Sequence, residues 1–82
     1  MLDIKVLGPG CTNCKRLEAL TRAVVTELGL QANIEKVEDF DAILKYPILA
    51  TPALVINGRV VCSGRVPSRA EIAKWLTVTV SV

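Results

Sequence analysis

The sequence predicts an α/β fold, a four-stranded mixed sheet with helices on both faces, in the order β-α-β-α-β-β-α. Three observations carry that expectation. Apolar residues alternate over Leu2 to Leu7 and then recur at helical spacing from Cys11 to Leu28, which marks a strand followed by a helix. Two β-rich runs, Ala53 to Ile56 and Arg59 to Cys62, flank Asn57-Gly58, the residue pair of a two-residue hairpin with a type I′ turn. Ser68-Arg69-Ala70-Glu71 has the form of a capping box and opens a last helix.

In the first strand Leu2, Ile4 and Val6 alternate with Asp3 and Lys5, which suits one better-covered face. The helix after it carries Leu17, Leu20, Val24, Val25 and Leu28 on its buried side and Lys15, Arg16, Glu18, Arg22 and Glu27 on the other. Gly29 is placed to take the left-handed position that ends it. Ala32 to Val37 reads as a second, short strand. A weak helix is expected from about Asp39 to Lys45, with Phe40, Ile43 and Leu44 buried and Asp39 and Asp41 in the acidic first turn that the dipole favours. Pro47 terminates it.

The hairpin register expected from a two-residue turn sets Ile56 against Arg59, Val55 against Val60 and Ala53 against Cys62. Ser63 to Pro67 is a loop, and the last helix presents Ile72, Ala73 and Leu76, with Trp75 at its margin. The tail from Thr77 to Val82 alternates like a strand but follows a helix, and fraying is expected. A right-handed crossover puts the first two strands parallel and the hairpin antiparallel to them.

A chain of 82 residues has room for one domain, residues 1–82, and one modest core. Apolar residues make up 51% and charged residues 22%, a balance that folds rather than stays disordered. Only 4% is aromatic, so the core must be aliphatic. The net charge of +2 comes from 10 basic and 8 acidic residues spread along the chain, which argues for neither a nucleic acid nor a membrane partner. No apolar run approaches the roughly 20 residues of a membrane span, and the N-terminal stretch has no apolar signal-peptide core. A cytoplasmic protein is expected.

Three cysteines do not make the stapled framework of a secreted domain. There is no histidine, which removes imidazole metal ligands, Cys-His nucleophile pairs and every histidine general base. The remaining chemistry concentrates in Gly8-Pro9-Gly10-Cys11-Thr12-Asn13-Cys14-Lys15, where a C-x-x-C pair stands at the junction of strand and helix. The Gly-Pro-Gly turn places Cys11 at or near the helix N-cap, where unpaired amides and the positive end of the dipole favour a thiolate. Cys14 follows one turn later on the same face, so one sulfur can attack a disulfide and the other can resolve the mixed disulfide. Two other readings use the same pair: a soft-metal carrier of copper or zinc, and a redox-sensing adaptor that binds without turnover. Cys62 is most simply a buried strand residue, packed as a small hydrophobe.

The order of elements, the C-x-x-C at the first helix and the Thr51-Pro52 step before the hairpin resemble the thioredoxin fold. Gly8 to Lys15 together with Ser63-Gly64-Arg65-Val66-Pro67 resembles the small thioredoxin-like and glutaredoxin-like "redox-active disulfide" proteins of bacteria and archaea. The match covers essentially the whole chain. It implies a thiol-disulfide oxidoreductase with Cys11 attacking and Cys14 resolving, and with Thr12 and Asn13 tuning the thiolate and facing the partner. Sequence alone would make the Thr51–Pro52 bond trans, since only about 5–6% of such bonds are cis. The resemblance implies a cis Pro52 beside the dithiol, with Thr51 offering backbone groups to a substrate chain as an added strand would. It implies no prosthetic group, a disulfide-containing protein or small molecule as substrate, and a reductase or thiol donor as electron source. The chain departs from the pattern in having Gly10 where many thioredoxins have tryptophan, and Thr12-Asn13 in place of Gly-Pro or the Pro-Tyr of glutaredoxins.

Overall fold

A computed structural model describes residues 2–48 and 50–80. Its elements are β1 (Leu2–Leu7), α1 (Thr12–Leu28), β2 (Ala32–Val37), α2 (Phe40–Ile43), β3 (Ala53–Ile56), β4 (Arg59–Ser63) and α3 (Arg69–Val80). The strands form one sheet in the order β2-β1-β3-β4. β1 and β2 are parallel, from Leu2 beside Ala32 to Leu7 beside Val37, and β3 is antiparallel to both β1 and β4. This is the mixed α/β architecture that the strand and helix periodicities called for.

The alternation in β1 divides the core in two. Leu2, Ile4 and Val6 join Leu54, Ile56 and Cys62 beneath Leu17, Val24 and Val25 of α1 and Ile72 and Leu76 of α3. On the other face Leu7, Ala53 and Val55 meet Ile43 of α2, with Val37, Tyr46, Ile48 and Val60 at the edge. Thr21 is fully buried within α1 because its hydroxyl donates to the Leu17 carbonyl at 2.7 Å, which removes the cost of hiding a polar group. Gly29 takes φ +65° and ends α1, its amide donating to the Thr26 carbonyl. Arg69 at the start of α3 pairs with Glu27 of α1 and ties the two helices together.

Four expectations are corrected, the first being that Leu28, expected on the buried side of α1, is 42% exposed in its last turn. The hairpin turn is as expected, with Asn57 and Gly58 at φ +51° and +81°, but β4 carries a bulge beyond it. Leu54 therefore pairs with Cys62 and Ala53 with Ser63, not Ala53 with Cys62. One extra residue in β4 slips the alternation, so Val60 packs on the α2 side while Val61 and Cys62 both pack on the α1–α3 side. The second helix is only four residues long and buries Ile43 alone. Phe40 and Leu44 are 66% and 72% exposed, because a single turn cannot present a stripe of three side chains to one sheet. The tail does not fray from Thr77: α3 continues to Val80, and the Thr77 and Thr79 hydroxyls donate to the carbonyls four residues back at 2.8 Å. Residues 81 and 82 of that tail lie outside the described residues. Among the described residues no helix is long and apolar enough to cross a membrane.

Candidate active site

The C-terminal end of β1 delivers the chain to the C-x-x-C stretch. The ladder to β2 runs one residue past the strand, since the Gly8 amide donates to the Val37 carbonyl at 2.9 Å. Gly10 then adopts φ +91°, a conformation open to glycine and strained for other residues, and turns the chain into α1. Cys11 is the N-cap in extended geometry, and its Sγ accepts from the Cys14 amide at 3.2 Å. The helical ladder starts with the Lys15 amide donating to the Cys11 carbonyl at 3.0 Å. Cys11 and Cys14 are disulfide-bonded, with their Cα atoms 5.0 Å apart. The pair is asymmetric: Cys11 is exposed, whereas Cys14 is 4% exposed.

The other expected site residues divide into two groups. Thr12 and Asn13 are both exposed on the first turn of α1, between the cysteines. Thr51 is half-buried, Pro52 is buried, and the peptide bond between them is cis. Gly8 is what brings this second group to the first. A Cβ on Gly8 would run into the Cys14 Sγ and stand 3.1 Å from the Cys14 Cβ and 3.8 Å from the Thr51 Cβ. The missing side chain is therefore the space in which Cys14 and Thr51 approach β1. The Ser63–Pro67 loop is fastened alongside, with the Gly64 amide donating to the Pro52 carbonyl at 2.9 Å. Cys62 stays apart, its thiol donating to the Arg65 carbonyl at 3.7 Å and pushed up in pKa by burial. Among the described residues no three Cys, Asp or Glu side chains gather so as to hold a metal ion.

The chain as a whole is similar to known proteins. A family model described as the thioredoxin domain matches residues 2–77. The chain belongs to the thioredoxin domain family. It is 42% identical over 77 residues to a thioredoxin of Methanothermobacter thermautotrophicus, covering 94% of this chain and 100% of that one. It is also 33% identical over 76 residues to a thioredoxin of Methanocaldococcus jannaschii, covering 93% and 87%. The crystal structure of the germline-specific thioredoxin Deadhead from Drosophila melanogaster shares the fold, with a TM-score of 0.67 at 16% identity over 94% of this chain and 79% of that one. Like its family, the protein is a thiol-disulfide oxidoreductase.

Beside the cysteines, their insert and the Thr51-Pro52 step, to which the sequence pattern points, the structure places three neighbours to which it does not. Gly8 looks like part of a turn, but a glycine between the strand and the C-x-x-C is also the signal of a close approach. Gly64 lies in a loop whose bond to Pro52 has no local sequence signal. Glu38, whose Oε2 would lie 3.1 Å from a Cβ on Gly10, comes from the end of β2, and no local pattern joins it to the dithiol.

Proposed function

We propose that this thioredoxin-family protein is a cytoplasmic reductant of protein or small-molecule disulfides, with Cys11 attacking and Cys14 resolving. The observation that carries the reading is the asymmetry of the pair. Cys11 is exposed at the N-cap, where its sulfur accepts an amide hydrogen bond, and Cys14 is buried one turn behind it. In the reduced protein the Cys11 thiolate attacks one sulfur of the substrate, forming a Cys11–substrate disulfide and releasing the other substrate sulfur as a thiolate. The Cys14 thiolate then attacks the Cys11 sulfur, closing the Cys11–Cys14 bond and releasing the second substrate thiolate. Two electrons pass to the substrate, and the two protons of the dithiol end on its thiols. An external thiol or a reductase returns the pair to the dithiol, and a reducing compartment suits that cycle. Thr12 and Asn13 face the incoming chain, Thr51 offers it backbone groups as a neighbouring strand would, and Pro52 shapes the groove.

A Cys14→Ser variant should hold its substrate as a mixed disulfide in cell extract, and Cys11→Ser should reduce no disulfide. Iodoacetamide at neutral pH should label Cys11 of the reduced native protein first. Preferential labelling of Cys14 would reverse the assigned roles.

A further inference from the structure

The backbone brings Glu38 beside the dithiol turn, and its half-exposed side chain reaches Gly10. Val37, the last residue of β2, accepts from the Gly8 amide at 2.9 Å, so the next residue must emerge beside Gly8-Pro9-Gly10. Its Oε2 lies against the bare Cα of Gly10, the residue just before Cys11, where a Cβ would be 3.1 Å away. Lys36 holds it there only partly: the Lys36 Nζ is 3.8 Å from Glu38 and 3.6 Å from Glu18 of α1, and Glu18 also takes Arg22 at 3.1 Å. The segments that meet here carry Lys15, Arg16 and Glu18 on α1, Lys36 in β2, Glu38 and Asp39 just after it, and Arg65 in the loop bonded to Pro52, while Thr51 and Pro52 bring no charge.

We propose that Glu38 tunes the Cys11 nucleophile, its carboxylate beside Gly10 opposing the Cys11 thiolate and holding the pair toward its reducing end. This rests on the reading of Cys11 as the attacking thiol. The helix N-terminus stabilises the thiolate, and a like charge lying beside the preceding residue works against it. A thiolate made less stable weakens the dithiol relative to the disulfide, because in this class of site a stabilised reduced form is what makes an oxidant. Glu38 and the helix end therefore set the couple between them, and Lys36 moderates Glu38.

The test uses the full reduced chain. The rate of iodoacetamide labelling of Cys11, read by mass spectrometry of its peptide, is followed against pH for wild type, Glu38→Gln, Glu38→Asp and Lys36→Gln. Glu38→Gln should give about threefold more Cys11 thiolate at any pH below the midpoint, the order expected of one nearby unit charge largely screened by water. It should move the equilibrium with glutathione toward the dithiol by a similar factor. Glu38→Asp should stay with wild type, Lys36→Gln should shift the opposite way, and 1 M salt should shrink both differences. Coincident profiles for wild type and Glu38→Gln, or shifts of one sign in Glu38→Gln and Lys36→Gln, would overturn the assignment. Labelling that goes first to Cys14 in wild type would instead overturn the underlying roles of the cysteines.

Discussion

Gly8 and Gly10 stand two residues apart and are glycine for different reasons. Gly10 is needed for its φ of +91°, whereas Gly8 is needed for the volume it leaves empty against Cys14 and Thr51. A Gly8→Ala variant would place a methyl group where the Cys14 side chain lies, at a position buried on every side. Neither neighbour can yield cheaply: Cys14 is anchored by α1 and its disulfide, and Thr51 by the bonded loop at Pro52. Overpacking of this kind costs about 1–3 kcal/mol. Urea unfolding of the oxidised variant should show that loss, and an unchanged midpoint would mean that α1 can retreat from β1. The two cysteines were legible from their spacing alone, because a helix N-terminus acts on the residue that caps it. The volume at Gly8 was not, because it depends on how the Cys14 side chain and the sequence-distant Thr51 come to rest against β1.

At the scale of elements, what the sequence states locally the structure keeps, and what depends on packing it revises. The strand limits of β1 and β2, the N-cap at Cys11, the left-handed Gly29 and the Asn57-Gly58 turn all follow from residues within a few positions of one another. The bulge in β4, the exposure of Phe40 and Leu44 and the helical tail depend on what lies across the sheet, which periodicity does not contain. The Ser68–Glu71 box belongs to the first kind. The Glu71 amide donates to the Ser68 Oγ at 3.2 Å, and Glu71 Oε1 accepts from the Ser68 amide at 3.1 Å. Arg65 adds a two-pronged bond to the same carboxylate at 3.1 and 2.7 Å. Ser68→Ala should cost about 1 kcal/mol of stability. The Arg65 guanidinium first, and then the Ser68 amide, hold the Glu71 carboxyl down to about 2. Its folded pKa lies below the unfolded value of about 4.3, so its contribution is complete above that value and is lost as pH falls through about 2. The urea midpoint of wild type should fall over that window, and that of Glu71→Gln should fall less steeply. Parallel curves would show that the Arg65–Glu71 pair adds nothing in solution.

The molecule as a whole is lopsided about its sheet, and that asymmetry decides where substitutions matter. The face beneath α1 and α3 holds the larger cluster, with Ile4, Leu17, Leu54, Ile72 and Leu76 all sealed from solvent. The face beneath α2 is closed by Ile43 from one turn of helix, with Tyr46 and Ile48 from the segment after it. The redox end of the sheet draws on both: Cys14 and Leu17 belong to α1, while Thr51 follows the α2 segment. A chain of this length has a total stability of about 4–12 kcal/mol. Leu76→Ala removes a side chain with no exposure from the thick face and should cost about 2–5 kcal/mol, enough to bring the fold near its margin. Phe40→Ala removes a larger side chain, but one that is mostly in water, and should change stability by no more than about 0.5 kcal/mol. Urea midpoints of the two oxidised variants, measured side by side, separate the two faces. A Phe40→Ala loss as large as that of Leu76→Ala would mean that Phe40 is covered in solution, and the thin face would then be as much a core as the thick one.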